Sequence, residues 1–199
     1  MRDIPAQQAA LRAGQWQTSV GWGTEGRTLG VIGLGKLGAR AAKVGLALGM
    51  KVIAWSQNLT DERAAEVGVT RVDKATLLST ADVVTLHLIL SDRSRGIIGA
   101  ADLAQMKRTA YIVNTSRGPL IDQDALIAAL KAGAIAGAGI DVYDTEPLPK
   151  DHPILSAPNT VLTPHLGYVT QQNYRAYYEG TVEVIAAFNA GAPVRVIGP

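Results

Sequence analysis

Three short polar segments in this chain could do chemistry together: Asn114-Thr115-Ser116-Arg117-Gly118, Asp141-Val142-Tyr143-Asp144-Thr145-Glu146-Pro147 and Thr163-Pro164-His165-Leu166-Gly167. They supply a guanidinium, a carboxylate and an imidazole in fixed order, downstream of a Gly-rich loop. A guanidinium is a planar fork donor matched to a carboxylate, and an imidazole exchanges a proton near neutral pH. Brought to one nucleotide cofactor, that set suggests hydride transfer on a small oxo or hydroxy acid.

The loop is Gly33-Leu34-Gly35-Lys36-Leu37-Gly38, and it follows Thr28-Leu29-Gly30-Val31-Ile32, an apolar run of strand length. A pyrophosphate site needs strand, tight turn and helix in that order. Gly33 allows the turn, Gly35 lets the backbone approach the phosphates, and Gly38 lets helix and strand pack closely. The helix expected over 36–48 would turn its unpaired amides and positive dipole end toward the anion. Glycines also recur in ordinary turns, so the flanking strand and helix are what give this motif its meaning.

These residues need a scaffold, and the chain is long enough to build one. Its 199 residues are 47% hydrophobic and 18% charged, which describes a globule with a substantial core and excludes a disordered chain. The net charge is +2 and the basic residues are scattered, so nothing points to nucleic acid. The apolar runs are interrupted before they reach spanning length, which argues against a membrane partner. No basic segment followed by an apolar stretch opens the chain. With no cysteine there is no disulfide, no thiolate metal site and no cysteine nucleophile. The default is a cytoplasmic protein, and no metal is expected.

Strand-like and helix-like segments alternate along most of the chain. Lys51-Val52-Ile53-Ala54-Trp55 reads as the second strand, and Thr60 as the N-cap of a short helix with Asp61 and Glu62 in its first turn. Continuous apolar runs over 82–90 and 110–114 read as buried parallel strands. Asp122 caps a helix through Leu126, Ile127 and Leu130 that Gly133 ends, and strands are expected over 134–142 and 159–163. This alternation predicts an α/β fold, a doubly wound parallel sheet with helices on both faces, and ligands at the carboxyl ends of its strands, where Asn114, Asp141 and His165 fall. Two segments stand outside the alternation. Residues 5–16 read as the end of an Ala- and Gln-rich helix. Residues 171–189 carry Tyr174, Tyr178, Thr181, Ile185 and Phe188 at helical spacing, a stripe that must cover something. Residues 146–158 read as a Pro-rich loop.

With four motifs in this order, the chain resembles the nucleotide-binding domain of the D-isomer-specific 2-hydroxyacid dehydrogenases, the family of glyoxylate/hydroxypyruvate reductases, D-lactate dehydrogenases and phosphoglycerate dehydrogenases. The likeness runs from about Arg12 to the C-terminus and implies a Rossmann-like domain over 27–167. Residues 1–26 would be a linker helix and entry segment, and 168–199 a C-terminal helix and tail returning to a substrate domain.

The resemblance implies three catalytic positions. Arg117 would hold the substrate carboxylate and carbonyl. His165 would be the acid when an oxo acid is reduced and the base when a hydroxy acid is oxidised. Glu146 would favour the imidazolium and keep that proton available. Taken one at a time, Arg117 is also compatible with a turn, Glu146 with a loop carboxylate and His165 with a strand-end histidine. Cofactor contacts carry over to Gly33, Gly35, Gly38, Lys36 and Leu37 at the pyrophosphate, Thr115 and Ser116 along the cofactor edge, Arg117 and His165 at its reacting end, Asp141 at the nicotinamide carboxamide, and Gly167 near His165. His87 falls in a strand-end loop that continues Leu88-Ile89 where the family often has Leu-Pro, so a strand-capping role stays open.

At the end of the second strand this chain departs from the family's NAD-preferring members. They place an acidic residue there for the ribose hydroxyls, and here the run is Trp55-Ser56-Gln57-Asn58, with Ser56 at that position. Loss of a carboxylate removes repulsion of a 2′-phosphate, and Arg63 is the nearest arginine in sequence. NAD and NADP are both carried as cofactors, with NAD slightly ahead. The resemblance places the substrate domain mainly before the nucleotide domain, so in this chain it is expected to be largely absent, and a small 2-oxo or 2-hydroxy acid would lack a second wall. Family dimers pair through their nucleotide domains, using the linker helix and the loop near 147–158, which makes a homodimer a candidate assembly. A dinucleotide-binding or interaction module without turnover is the alternative function. A short-chain dehydrogenase fits less well, since no Tyr-x-x-x-Lys pair accompanies the loop.

Overall fold

The first strand and helix are built from an alternation of small and branched residues that lets them lie against each other. In the computed structural model, which describes residues 2–198, β1 (Thr28–Ile32) turns Leu29 and Val31 to one face of the sheet, and α2 (Lys36–Ala47) lays Gly38, Ala42 and Gly45 against it. A Cβ at Gly45 would stand 2.5 Å from a Leu29 methyl, so the helix approaches as closely as a bare backbone permits.

The remaining strands are β2 (Lys51–Trp55), β3 (Thr70–Arg71), β4 (Val83–Leu86), β5 (Tyr111–Asn114), β6 (Gly137–Ile140) and β7 (Thr160–Leu162). They form one seven-stranded sheet in the order β3-β2-β1-β4-β5-β6-β7, with every pairing parallel. This is the doubly wound sheet that the alternation predicts. The order reverses between β1 and β4, and the crevice at that switch point opens where the strands end.

The helices before and after the sheet strands are α1 (Ile4–Arg12), α3 (Asp61–Val67), α4 (Lys74–Thr80), α5 (Ala100–Leu103), α6 (Gln123–Lys131) and α7 (Gln171–Asn189). Thr60, Asp73, Asp122 and Thr170 each accept a backbone N–H of the first turn, capping α3, α4, α6 and α7. One core lies between α2, α3 and the sheet. The larger one lies beneath α4, α5 and α6 and includes Ile32, Leu77, Leu86, Ile112, Leu126 and Ile140.

Several expected boundaries move. The strand expected over 82–90 ends at Leu86, because the Ser94 hydroxyl donates to the Ile89 carbonyl at 2.7 Å and turns the chain away from the sheet. The runs 134–142 and 159–163 pair only over Gly137–Ile140 and Thr160–Leu162. The helix read over 5–16 starts at Ile4 with Pro5 in its first turn and stops at Arg12, where Gly14 takes φ +79°. The loop over 146–158 contains a 3-10 turn, Pro153–Ser156. Met1 and Pro199, the ends of the two expected flanking segments, lie outside the described residues. The stripe on α7 is left largely uncovered among the described residues: Tyr174 stacks on Tyr168 with ring centres 6.5 Å apart, but the helix has no buried residue, and Tyr178 and Phe188 are 68% and 71% exposed. No helix among the described residues is long and apolar enough to cross a membrane.

At the amino ends of the central strands, just before β4, Asp82 ties three segments together. Only 8% exposed, it accepts from the Thr28 N–H at 2.8 Å and from Lys107 Nζ at 3.0 Å, with Arg27 at 3.8 Å. Burial pushes its carboxyl up, but those hydrogen bonds and the charges of Lys107 and Arg27 together hold it below the usual carboxylate range. Asp82→Ala would strand the Thr28 donor and should cost about 2 kcal/mol. A lowered folded-state value means that this stability is full above the ordinary carboxylate range and is lost as pH falls through the lowered value. Urea unfolding at pH 7 and in acid should therefore show the gap between wild type and variant closing in acid. A gap of equal size at both pH values would exclude an ionised Asp82 as its source.

Candidate functional site

The Gly-rich loop assigns a separate task to each glycine. Gly33 adopts φ +96°, and a Cβ there would sit 2.7 Å from the His87 carbonyl oxygen. At Gly38 a Cβ would lie 1.9 Å from the Gly33 carbonyl oxygen, so the turn closes directly onto the helix. Gly35 is different: it is the N-cap of α2, and nothing stands within 4 Å of where its Cβ would be. That open space lies at the start of the helix, where the first amides have no partner in the helix. It is the approach that an anionic pyrophosphate requires. Lys36 and Leu37 follow in the first turn, both exposed.

Beside the loop lies a cavity of about 440 Å³, walled by Gly33, Leu34 and Gly35 on one side and by Trp55, Ser56, Gln57 and Asn58 at the end of β2. The segment after β4 closes it with His87, Leu88, Ile89, Ser91, Arg93 and Ser94. His87 lies just past the end of β4, its Nε2 3.0 Å from the Thr85 hydroxyl, and burial pushes its imidazole below the usual range. It is a neutral wall residue. Arg63 does not reach this cavity, because its guanidinium pairs with Glu66 on its own helix at 2.8 Å.

A second cluster forms at the ends of β5, β6 and β7. After β5, Asn114 is 1% exposed and braces the turn that presents Arg117: its Nδ2 donates to the Arg117 carbonyl at 2.8 Å, and its Oδ1 accepts from the Ser116 N–H at 3.1 Å. The Ser116 hydroxyl donates to the Leu86 carbonyl at 2.7 Å, tying this turn to the end of β4. Thr115 and Arg117 remain exposed. At Gly118 a Cβ would meet the Tyr143 backbone at 2.1 Å, so only glycine lets the two loops touch.

Tyr143 then links the other two segments. Its N–H donates to Glu146 Oε1 at 2.8 Å and its hydroxyl to the Thr163 carbonyl at 3.0 Å. Glu146 Oε2 stands 2.7 Å from His165 Nδ1. Burial pushes the Glu146 carboxyl up, yet the bonds from His165 and the Tyr143 N–H and the charges of His165 and Arg117 bring it below its ordinary range. The imidazole therefore faces an ionised partner. His165 itself sits at φ +53°, half-buried, with Tyr168 edge-on at 5.3 Å between ring centres.

Asp141 holds that loop in place. Its carboxylate accepts from the Leu166 N–H at 2.8 Å, from the Gly167 N–H at 3.0 Å and from the Thr163 hydroxyl, and its backbone carbonyl accepts from the His165 N–H at 2.8 Å. Burial raises the Asp141 carboxyl, and these donors together with the charge of His165 lower it further than burial raises it. Asp141 and Gly167 thus meet through the brace on His165, and Asp141 spends most of its acceptor capacity there. Tyr143 and Thr163 are the supporting residues that sequence reasoning did not single out, and Asn114 it placed at a strand end without a role. Tyr143 carried one faint signal, a large polar-tipped residue directly after an apolar strand.

A family model matches residues 1–167, that of the D-isomer specific 2-hydroxyacid dehydrogenase NAD binding domain. The chain belongs to this family. A glyoxylate reductase of Korarchaeum cryptofilum is 38% identical over 187 residues, covering 91% of this chain and 56% of that enzyme. A putative D-3-phosphoglycerate dehydrogenase of Ralstonia solanacearum superposes with a TM-score of 0.93 at 37% identity, over 100% of this chain and 62% of that one. The D-lactate dehydrogenase of Aquifex aeolicus, solved as a complex with NAD and lactic acid, has a TM-score of 0.85 at 29% identity, over 98% of this chain and 66% of that one. The chain thus spans a little under two thirds of the length of the first two relatives, and the part it shares with the family is the NAD binding domain.

Proposed function

We propose that this domain binds a dinucleotide across the carboxyl ends of β1, β2, β4, β5 and β6 and, where a substrate-binding domain faces it, catalyses reversible hydride transfer with a small D-2-hydroxy acid or its 2-oxo acid. The observation that carries this reading is the Glu146–His165 pair at 2.7 Å, set beside Arg117 at the same edge of the sheet as the Gly35 opening. The residues fit the cofactor: Gly35 leaves the phosphates room, and the free amides at the start of α2 supply donors. A nicotinamide cofactor supplies the hydride.

His165, with Nδ1 held by Glu146, is left with Nε2 to give a proton to the substrate oxygen on reduction and to take it back on oxidation. Arg117 offers its fork to the substrate carboxylate, which fixes the carbon to be reduced. Glu146 keeps the His165 ring oriented through Nδ1 and sets an ionised carboxylate beside it. Asp141 and Gly167 hold the His165 loop, and Thr115 and Ser116 border the cofactor. The retained Arg117, Glu146 and His165 favour an enzyme over a binding module without turnover.

Residues 168–199 would pack against the substrate-binding domain, which the exposed Tyr178 and Phe188 support. The exposed apolar residues Ile4, Leu11 and Trp16 support pairing of two copies through the first segment, testable by sedimentation. The absence of cysteine agrees with a cytoplasmic protein. The test of function follows NADH and NADPH absorbance with glyoxylate and hydroxypyruvate, for this chain alone and joined to a family substrate-binding domain. Turnover is expected only in the joined protein, since orientation and water exclusion need the second wall. No turnover in either, with cofactor bound, would sink the proposal.

A further inference from the structure

We infer that the cavity between the Gly-rich loop and the segment after β4 is built for NADP(H), with Arg93 as the residue that recognises the ribose 2′-phosphate. This rests on the dinucleotide reading above and makes it specific. None of the residues that wall the cavity is acidic, and Arg93 is its only cation. Across from it, Ser56, Gln57 and Asn58 close the end of β2 with neutral hydrogen-bonding groups. A pocket that selects a ribose diol over a 2′-phosphate needs a carboxylate to accept the hydroxyls and repel the anion. This wall offers donors and one fixed positive charge.

Arg93 is also uncommitted and well placed. Among the described residues it takes part in no ion pair, whereas Arg63 is held by Glu66 and Arg71 by Asp61. Its backbone is not left to wander. Ser94, only 7% exposed, donates its hydroxyl to the Ile89 carbonyl at 2.7 Å and accepts from the Ser91 N–H at 2.8 Å. The Arg95 N–H returns to the Ser91 carbonyl at 2.9 Å, and the Gly96 N–H reaches the Pro119 carbonyl at 2.8 Å. A tight turn therefore carries Arg93 at its tip, over the cavity mouth. A guanidinium so presented forms charge-assisted, bidentate bonds to a phosphate dianion and gains nothing comparable from a neutral ribose diol.

The experiment titrates the chain with NADPH and NADH by nucleotide fluorescence and with adenosine 2′,5′-bisphosphate and adenosine 5′-phosphate by calorimetry. Wild type, Arg93→Ala, Arg93→Lys and Ser56→Asp are compared, with circular dichroism confirming that each is folded. In wild type, NADPH is expected to bind at least tenfold more tightly than NADH, with the bisphosphate ahead of the monophosphate by a similar factor. Arg93→Ala should bring both ratios close to one, Arg93→Lys should retain part of the preference, and Ser56→Asp should reverse it. Equal affinity for the two cofactors in wild type, or an unchanged ratio in folded Arg93→Ala, overturns the assignment while leaving dinucleotide binding in place. Failure of all four nucleotides to bind would instead overturn the dinucleotide reading beneath it.

Discussion

Gly35→Val is expected to remove dinucleotide binding from a protein that still folds. A Cβ there would meet no atom of a more distant residue within 4 Å, so the substitution clashes with no packed element of the apo fold. What it fills is the path by which the phosphates come within hydrogen-bond distance of the amides that open α2. Charge-assisted hydrogen bonds contribute roughly 1.5–3 kcal/mol each, so losing two of them weakens binding by about a hundredfold or more. Gly38→Ala makes the contrast. Its Cβ would be forced to within 1.9 Å of the Gly33 carbonyl oxygen, so the turn must break and the melting temperature should fall. Calorimetric titration and thermal unfolding of both variants separate the two effects. Undiminished cofactor affinity in Gly35→Val would remove this loop from the site.

The sequence announced the fold most clearly where one physical cause acts alone. β1, β2 and the start of α2 stand where an apolar run meets a Gly-rich turn, and α3 and α6 begin at Thr60 and Asp122, whose side chains take the first-turn amides. α7 runs over 171–189 as its spacing predicts. The strand ends were less legible, because apolar character continues past the last paired residue. Leu88, Ile89 and Leu90 look like strand, yet their loop is turned aside by Ser94, a side-chain hydrogen bond that no periodicity records. α4 carried a readable signal in Asp73 and Thr76, but it is a short helix between two strands of which one, β3, pairs over only two residues.

The site divides along the same line. Arg117, Glu146 and His165 could be found by residue type and order, since each sits in a polar segment after an apolar run. The contacts that support them could not. Asn114 closes a turn through its own side chain, Tyr143 joins Glu146 to Thr163, and Asp141 holds the Leu166 and Gly167 amides; the bonds to Thr163, Leu166 and Gly167 span segments that only the parallel sheet brings together. Arg93 was hidden for a related reason. It lies 37 positions beyond Ser56 in the chain, and only the adjacency of β2, β1 and β4 places both on one cavity.

The second large effect concerns proton transfer in the protein joined to a substrate-binding domain. His165→Ala should lower the rate of oxo-acid reduction by on the order of 10³-fold, the worth of a positioned general acid, while the nucleotide is still bound through the Gly-rich loop. Glu146→Gln should act differently, because its Oε2 holds His165 Nδ1 at 2.7 Å and sets an ionised carboxylate beside the ring. The Glu146 carboxyl lies below its ordinary range, so it stays ionised across the neutral region and loses its charge only when pH falls through that lowered value. In wild type the pair therefore survives mild acid and is lost only when the Glu146 carboxylate takes up a proton. With glutamine in place of the carboxylate nothing at this position ionises, so the fall in rate that wild type shows as Glu146 is protonated should already be present at neutral pH. Arg117→Lys should mainly raise KM, since a point charge cannot reproduce the planar fork on a carboxylate. Steady-state rates across pH for the three variants distinguish these roles. A His165→Ala enzyme with full activity would refute the assigned acid, and a Glu146→Gln enzyme with the wild-type rate at neutral pH would show that the carboxylate's charge is not used.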